Sequence, residues 1–366
     1  MKVALVHDWL NGMRGGEKLL EVLCDLFPEA ELYTLFYEPD RVSETIRRRN
    51  PRASVLQRFP LARRYYRLYL PLYPWAIGRL DMSPYDAVIS SSHCAAKGVR
   101  LNDRQLHICY CHAPMRYIWE QYDVYFGGRN RWRPVSLAMR LWRDRLRQWD
   151  VATAQRVNHF IANSMAVAHR IRRYYGREAR VIYPPVDTAR FHPVGGIEGD
   201  YFLVVAALVP YKRIDLAVEA CTRLGQTLCI VGDGPQRRAL ERRAGPTVRF
   251  FGWVPDDELV RLYNGSQALL YPGEEDFGIT AVEAQACGRP VIALRKGGVV
   301  ETVREHRTGL FFREPTVEAL CEVLEQFNRA MFDRGVIRAH AEQFGGDRCR
   351  TELDSTIREM LESHGS

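Results

Sequence analysis

The sequence predicts an α/β protein made of two doubly wound parallel-sheet domains, and three observations carry that prediction. The chain has 366 residues, more than one hydrophobic core usually supports. Short apolar runs of strand character alternate with stretches of helical periodicity, as strand-helix-strand units do. A proline- and glycine-bearing stretch from Tyr183-Pro184-Pro185-Val186-Asp187 to Gly199 divides two such series, as a linker would. Ligands of open α/β sheets bind beyond the carboxyl ends of the strands, so the two domains are expected to face one another across a binding cleft.

The first series opens with Lys2 to Val6, a loop holding Gly12, Gly15 and Gly16, and a helical pattern through Leu19, Leu20, Leu23 and Leu26. Strand, glycine loop and helix in that order form the first unit of a parallel sheet. Further strands are expected at Ala87 to Ile89, His107 to Tyr110 and His159 to Ala162, with long insertions between them. The second series places strands at Phe202 to Ala206, Thr227 to Val231, Val248 to Phe251, Ala268 to Tyr271 and Val291 to Leu294. Helical stretches at 214–224, 235–244, 256–264 and 279–287 connect them.

Apolar residues make up 46% of the chain and charged residues 26%, proportions that exclude a disordered polyelectrolyte. No apolar run reaches the roughly 18 to 20 residues of a membrane-spanning helix, and Val3 to Val6 is cut at once by His7 and Asp8, so no signal peptide is expected. Nine cysteines are scattered without CxxC or Cys/His ligand spacing, which suits small core residues in a reducing cytosol. Charge is uneven: residues 1–195 carry 31 Lys and Arg against 18 Asp and Glu, a net +13, whereas the remainder is net −5. The basic half calls for an anionic partner.

The segment Pro272-Gly273-Glu274-Glu275-Asp276-Phe277-Gly278-Ile279-Thr280-Ala281-Val282-Glu283-Ala284 follows an expected strand and runs into a helix. Glu275 falls on the loop and Glu283 one to two turns inside the helix. Amides of Gly278, Ile279 and Thr280 at the helix start would bind an anion, and a carboxylate beside them could accept hydrogen bonds from sugar hydroxyls. Acids at a helix start also serve simply as caps on a solvated face.

This segment resembles the paired-glutamate signature of the retaining family-four glycosyltransferases of GT-B fold. Further motifs of that family recur in order: Ala206-Ala207-Leu208-Val209-Pro210-Tyr211-Lys212-Arg213-Ile214-Asp215, Ile230-Val231-Gly232-Asp233-Gly234-Pro235 and Phe251-Gly252-Trp253-Val254. In the first half, Gly15-Gly16-Glu17-Lys18, His112-Ala113-Pro114-Met115-Arg116-Tyr117-Ile118-Trp119, Ile161-Ala162-Asn163-Ser164 and Val181-Ile182-Tyr183-Pro184-Pro185-Val186-Asp187 are similar to the family's segments. The wording is most similar to the bacterial branch that builds O-antigen and related surface polysaccharides, where GDP-mannose is a common donor.

The resemblance implies two Rossmann-like domains: an acceptor-binding domain over 1–190, rejoined by a C-terminal helix at about 347–366, and a donor-binding domain over 191–346. It implies that Glu283 binds the donor ribose, that Glu275 contacts the transferred sugar, that Lys212 pairs with the diphosphate and that His112 lies beside the sugar. Gly15, Gly16, Phe277, Gly278, Ile279 and Thr280 would complete the donor site. The family's arginine a few residues before the lysine is replaced here by Ala207, for which Arg213 is a candidate substitute. A glycine loop after a first strand also occurs in dinucleotide enzymes, but the GxGxxG pattern is missing.

Cleaving a sugar from a nucleoside diphosphate requires stabilising the departing phosphate. No Asp-x-Asp pair stands at a strand end, so Lys212 and the helix amides are expected to do this without a metal, and no cofactor beyond the nucleotide sugar is expected. The resemblance implies retention of anomeric configuration, either through a covalent intermediate on a carboxylate or with the leaving phosphate itself taking the acceptor's proton on the same face; the second is expected, because no carboxylate is an obvious nucleophile.

Residues 41–80 hold ten Arg and one acid, interleaved with Phe59, Tyr65, Tyr66, Tyr69, Tyr73 and Trp75; residues 129–149 hold seven Arg with Trp132, Trp142 and Trp149. Arginine among aromatics suits an anionic bilayer surface and a lipid-linked acceptor, with Arg63, Arg64, Arg67, Trp75 and Arg116 as contacts, although a solvated surface over an aromatic core fits the same pattern. No nucleic-acid module is present. The expectation is a peripheral enzyme at the cytoplasmic face of the membrane that moves mannose from GDP-mannose to a lipid-linked glycan. A UDP-sugar transferase of the same fold, or an idle nucleotide- or membrane-binding scaffold, are the alternatives.

Overall fold

The computed structural model describes residues 1–127 and 134–365. It divides into two compact units, Met1–Pro185 with Cys349–Ser366, and Val186–Arg348. The boundary lies five residues before the expected one because Val186 N donates to Phe344 O at 3.1 Å, which ties this part of the linker to the second unit.

The first unit is a parallel seven-stranded sheet: β1 (Val3–His7), β2 (Glu31–Thr34), β3 (Arg52–Ala53), β4 (Ala87–Ser92), β5 (Leu106–Cys111), β6 (His159–Ala162) and β7 (Ala179–Val181). Their order is β3-β2-β1-β4-β5-β6-β7, so the direction of winding reverses between β1 and β4. Every residue of β4 and β5 is buried, because helices cover both faces of a parallel sheet. Helix Gly15–Leu26 turns Leu19, Leu20, Leu23 and Cys24 into that core. Helix Gly346–Gly365 adds Cys349, Leu353 and Ile357 to the same cluster.

The second unit is a parallel six-stranded sheet of β8 (Phe202–Val205), β9 (Leu228–Val231), β10 (Val248–Gly252), β11 (Leu269–Tyr271), β12 (Val291–Leu294) and β13 (Gly309–Phe312). The order β10-β9-β8-β11-β12-β13 puts its switch point between β8 and β11. Ligands of such sheets bind there. The helix expected over 235–244 is only Arg237–Glu241.

All nine cysteines are buried. Among the described residues no helix is long and apolar enough to cross a membrane.

Candidate active site

At the switch point of the second sheet, the chain leaving β8 forms a tight turn, Pro210–Lys212, before helix Ile214–Leu224. Lys212 Nζ lies 2.9 Å from Glu275 Oε1 on the loop after β11, with side-chain exposures of 14% and 23%. The loops touch because residue 273 is glycine: a Cβ there would fall 2.6 Å from Lys212 Cα. The Glu275 loop is held from its other side, where Gly298 N donates to Glu275 O at 2.9 Å. A Cβ on Gly298 would approach Asp276 O to 2.1 Å, so only glycine admits this seam.

Helix Ile279–Ala286 starts beyond Gly278, whose φ of 96° is the left-handed conformation that favours glycine. The residue before the first turn is glycine and brings no capping side chain of its own, and the first-turn amides, Ile279 and Thr280 included, lie at the positive end of the helix that follows the Glu275 loop. Gly278→Ala is expected to lower stability by about 1–2 kcal/mol, read as a drop in thermal midpoint; an unchanged midpoint would mean the loop relaxes freely.

Glu283 is on the same helix and accepts a hydrogen bond from Tyr263 OH at 2.8 Å. Burial, with Asp256 and Asp187 nearby, outweighs that bond and pushes its pKa up to about 7.

Two of the expected contacts are arranged differently. Phe277 is buried and packs edge-on against Phe344 with ring centres 5.7 Å apart, so its side chain anchors the loop. Arg213, with a left-handed φ of 49°, turns its guanidinium to Asp215 at 3.1 Å. That pairing competes with the role of replacing the arginine missing at Ala207.

In the first unit, the carboxyl ends of β1, β4 and β5 bring three histidines together. His112 directly follows β5, is 9% exposed, and its Nε2 lies 2.8 Å from Ser91 Oγ. Burial, with His93 and His7 nearby, holds its pKa well below the usual histidine range. Ser91 Oγ also meets His7 Nδ1 at 3.0 Å. His93 Nδ1 sits 3.1 Å from Asp8, whose carboxylate accepts the backbone N–H groups of His93, Cys94, Ala95 and Ala96. Gly15 and Gly16 begin the adjoining helix, and a Cβ on Gly16 would stand 3.4 Å from the His7 ring and 3.5 Å from that of His112.

His7, Asp8, Glu17, Ser91 and His93 were not singled out by sequence as site residues. The signal was the pairing of polar residues with the end of an apolar run, as in Val6-His7-Asp8 and Ile89-Ser90-Ser91-Ser92-His93. Among the described residues no group of three His, Cys, Asp or Glu is placed to hold a metal ion.

All the expected surface contacts but Arg116 fall within residues 61–79. Leu61, Tyr65, Leu68, Leu72 and Trp75 are exposed there, Arg79 lies over the Trp75 ring at 5.0 Å and Arg67 over that of Tyr66 at 5.4 Å. Arg116 is half-buried. The side chains of Arg63 and Arg64, and all of 128–133 including Trp132, lie outside the described residues.

Comparison with known proteins places both units. Residues 15–190 match the model of Glycosyltransferase Family 4, and residues 188–330 that of Glycosyl transferases group 1. D-inositol 3-phosphate glycosyltransferase of Acidothermus cellulolyticus is 33% identical over 248 residues, covering 58% of this chain and 54% of that protein. The Salinispora arenicola protein of the same name is 30% identical over 59% of this chain and 55% of its own length. The chain thus spans about half the length of the curated relatives it matches. Sucrose-phosphate synthase from Thermosynechococcus elongatus superimposes with a TM-score of 0.72 at 18% identity, over 99% of this chain and 100% of that one. Anabaena HepE in complex with UDP-glucose gives 0.70 at 17% identity, over the same shares. The chain therefore has the GT-B fold of two Rossmann-like domains, the first matching glycosyltransferase family 4 and the second glycosyltransferase group 1.

Proposed function

We propose that the chain is a retaining glycosyltransferase that moves a hexose, mannose from GDP-mannose, to a lipid-linked glycan acceptor at the cytoplasmic face of a membrane. The observation that carries the transferase reading is the Lys212–Glu275 pair, its carboxylate on the loop that leads into a helix start at the sheet's switch point. As the bond from the sugar to the β-phosphate breaks, charge gathers on that phosphate; the Lys212 ammonium and the amides of Ile279 and Thr280 stabilise it. The acceptor hydroxyl bonds to the anomeric carbon on the face the phosphate leaves, and its proton passes to the departing phosphate. Glu275 accepts hydrogen bonds from sugar hydroxyls, Glu283 from the ribose, and His112 lies by the sugar.

A second donor, a UDP-sugar, is favoured by Anabaena HepE, solved in complex with UDP-glucose. Calorimetry with GDP, UDP, GDP-mannose and UDP-glucose decides between them: tighter binding of the UDP pair rejects the mannosyl assignment. Turnover is expected to persist in EDTA, and its abolition would reject the metal-independent step. Loss of both binding and turnover from every donor would leave a scaffold.

Glu283 makes donor binding depend on pH. Its pKa is raised to about 7, so the protonated form is favoured in the folded chain. Ribose hydroxyls donate and therefore select the ionised form, so affinity grows as pH rises through 7. Between pH 6 and pH 8 the ionised fraction rises about tenfold, and nucleotide affinity should follow, while Glu283→Gln flattens the dependence. An equal slope in both proteins would remove Glu283 from the ribose site.

The exposed apolar side chains of residues 61–79, with Arg67 and Arg79 exposed among them, support docking on an anionic bilayer. Replacing Arg63 and Arg64 by glutamate should reduce flotation with phosphatidylglycerol vesicles severalfold. Equal flotation with neutral vesicles would count against an electrostatic membrane contact.

A further inference from the structure

The polar cluster at the end of the first sheet contains a continuous hydrogen-bonded path whose stoichiometry is restrictive. His7 Nδ1 and His112 Nε2 both meet the hydroxyl of Ser91, at 3.0 and 2.8 Å. A serine hydroxyl has one proton to give. If Ser91 donates to His7, it must accept from His112; if it donates to His112, it must accept from His7. The hydroxyl can accept from both rings but can donate to only one, so at least one of the two facing nitrogens carries a proton.

Glu17 breaks the symmetry. Its Oε1 faces His7 Nε2 at 3.9 Å, with side-chain exposures of 0% for His7 and 4% for Glu17. His7 Nε2 has no hydrogen-bond partner among the described residues. Burial pushes the Glu17 carboxyl up, but His7, Arg14 and the backbone hold it below the ordinary range, so it is ionised. Its Oε2 already accepts Arg14 N at 3.0 Å. A carboxylate facing a nitrogen lone pair in a buried site is repulsive, whereas facing an N–H it is attractive. While His7 holds a single proton, that proton therefore sits on Nε2, leaving Nδ1 to accept from Ser91.

We propose that Ser91 is a positioning residue that, under the bias of Glu17 through His7, fixes His112 as the Nε2–H tautomer with a bare Nδ1. That Nδ1 offers a lone pair to a hydroxyl of a bound sugar, a role that rests on the transferase reading above. The remaining charged or titratable groups around the pair are His93, with ring centres 6.2 Å from His7 and 6.4 Å from His112, Asp8 beneath His93, and Arg14 at 3.7 Å from Glu17. The Tyr110 ring is 5.1 Å from His112. Burial also keeps His112 and His93 neutral, so the proton's place on His112, not its charge, is what Ser91 sets.

The test is long-range nitrogen–proton correlation NMR on the full chain labelled with nitrogen-15 histidine, near neutral pH, with His112 assigned by its loss in His112→Gln. The native protein is expected to show His112 protonated on Nε2. In Ser91→Ala and in Glu17→Gln that single tautomer should give way to a mixture, with thermal midpoints recorded to show that both variants are folded. Native His112 protonated on Nδ1, or an unchanged tautomer in both folded variants, overturns the proposal. Should one variant fail to fold, the other decides.

In transfer assays, Ser91→Ala is expected to lower kcat on the order of tenfold with little change in KM. A shifted tautomer with unchanged kcat would reject its part in the reaction. The expected tautomer in a protein that transfers no sugar would reject the transferase reading and leave the tautomer assignment standing.

Discussion

Alanine in place of Lys212 is expected to cut kcat for glycosyl transfer by on the order of a thousandfold, with Glu275→Ala close behind. Lys212 is 14% exposed and sits 2.9 Å from Glu275, so its charge acts through a medium poorer in water than the surface. Ordinary exposed ion pairs contribute about 0–1 kcal/mol, too little to explain such a loss; a lysine acting on a phosphate that gains charge in the transition state can supply several times more. The pair also predicts an asymmetry. Lys212→Ala removes the cation facing the Glu275 carboxylate and leaves that negative charge beside the proposed diphosphate, so nucleotide affinity should fall further than in the Lys212→Ala/Glu275→Ala double variant. Turnover should stay lost in the double variant, because the charge-stabilising group is still gone. Calorimetry with the nucleotide and steady-state transfer measure the two separately. Turnover within twofold of native in both single variants would sink the assignment of this site.

The second domain was the more legible in sequence, for a physical reason. Its central strands are buried on both faces and read as continuous apolar runs, and its site is built from one loop, one turn and one helix start that are each local in the chain. The strands that sequence missed are peripheral or short: β2 is Glu31–Thr34, β3 only Arg52–Ala53, β7 Ala179–Val181, and β13 Gly309–Phe312 closes an edge. With two to four residues each, they carry little periodic signal. The first domain's cluster was hidden differently. His7 and Asp8 look like an interruption of an apolar strand, and only the pairing of β1 with β4, 84 residues away, sets His7 against Ser91. Arg213 illustrates the converse: the motif alone offers its cation to a phosphate, and only the fold brings in Asp215, two residues on, as a competing partner.

Removing the Lys97 ammonium should give the largest loss of stability in the first domain, about 3–5 kcal/mol for Lys97→Ala. Lys97 is 2% exposed and Asp150 fully buried, and the two form an ion pair. Asp150 also accepts Trp119 Nε1 and Tyr175 OH, each at 2.8 Å, while Lys97 reaches Thr153 Oγ1 at 3.2 Å. Trp149 and Tyr175 lie under the ammonium at 5.4 and 5.2 Å. Deleting the lysine leaves a carboxylate with no counter-charge in a site that water does not reach, which costs far more than losing a surface pair. The size of the effect is therefore set by Asp150, and two comparisons expose it. Lys97→Met, which keeps most of the packing, should be nearly as destabilising as Lys97→Ala, and Lys97→Met/Asp150→Asn should recover part of the loss. Denaturant unfolding followed by tryptophan fluorescence reports on this domain, since six of the seven tryptophans precede residue 150. A Lys97→Met variant within about 0.5 kcal/mol of native would mean the charge is hydrated and the pair is no more than a surface contact. The consequence reaches the histidines, because Lys97 continues the turn whose amides at Ala95 and Ala96 bind Asp8. Anchoring that turn to helix Pro134–Ala154 through Asp150 holds the end of β4, and with it His93, in place against Asp8.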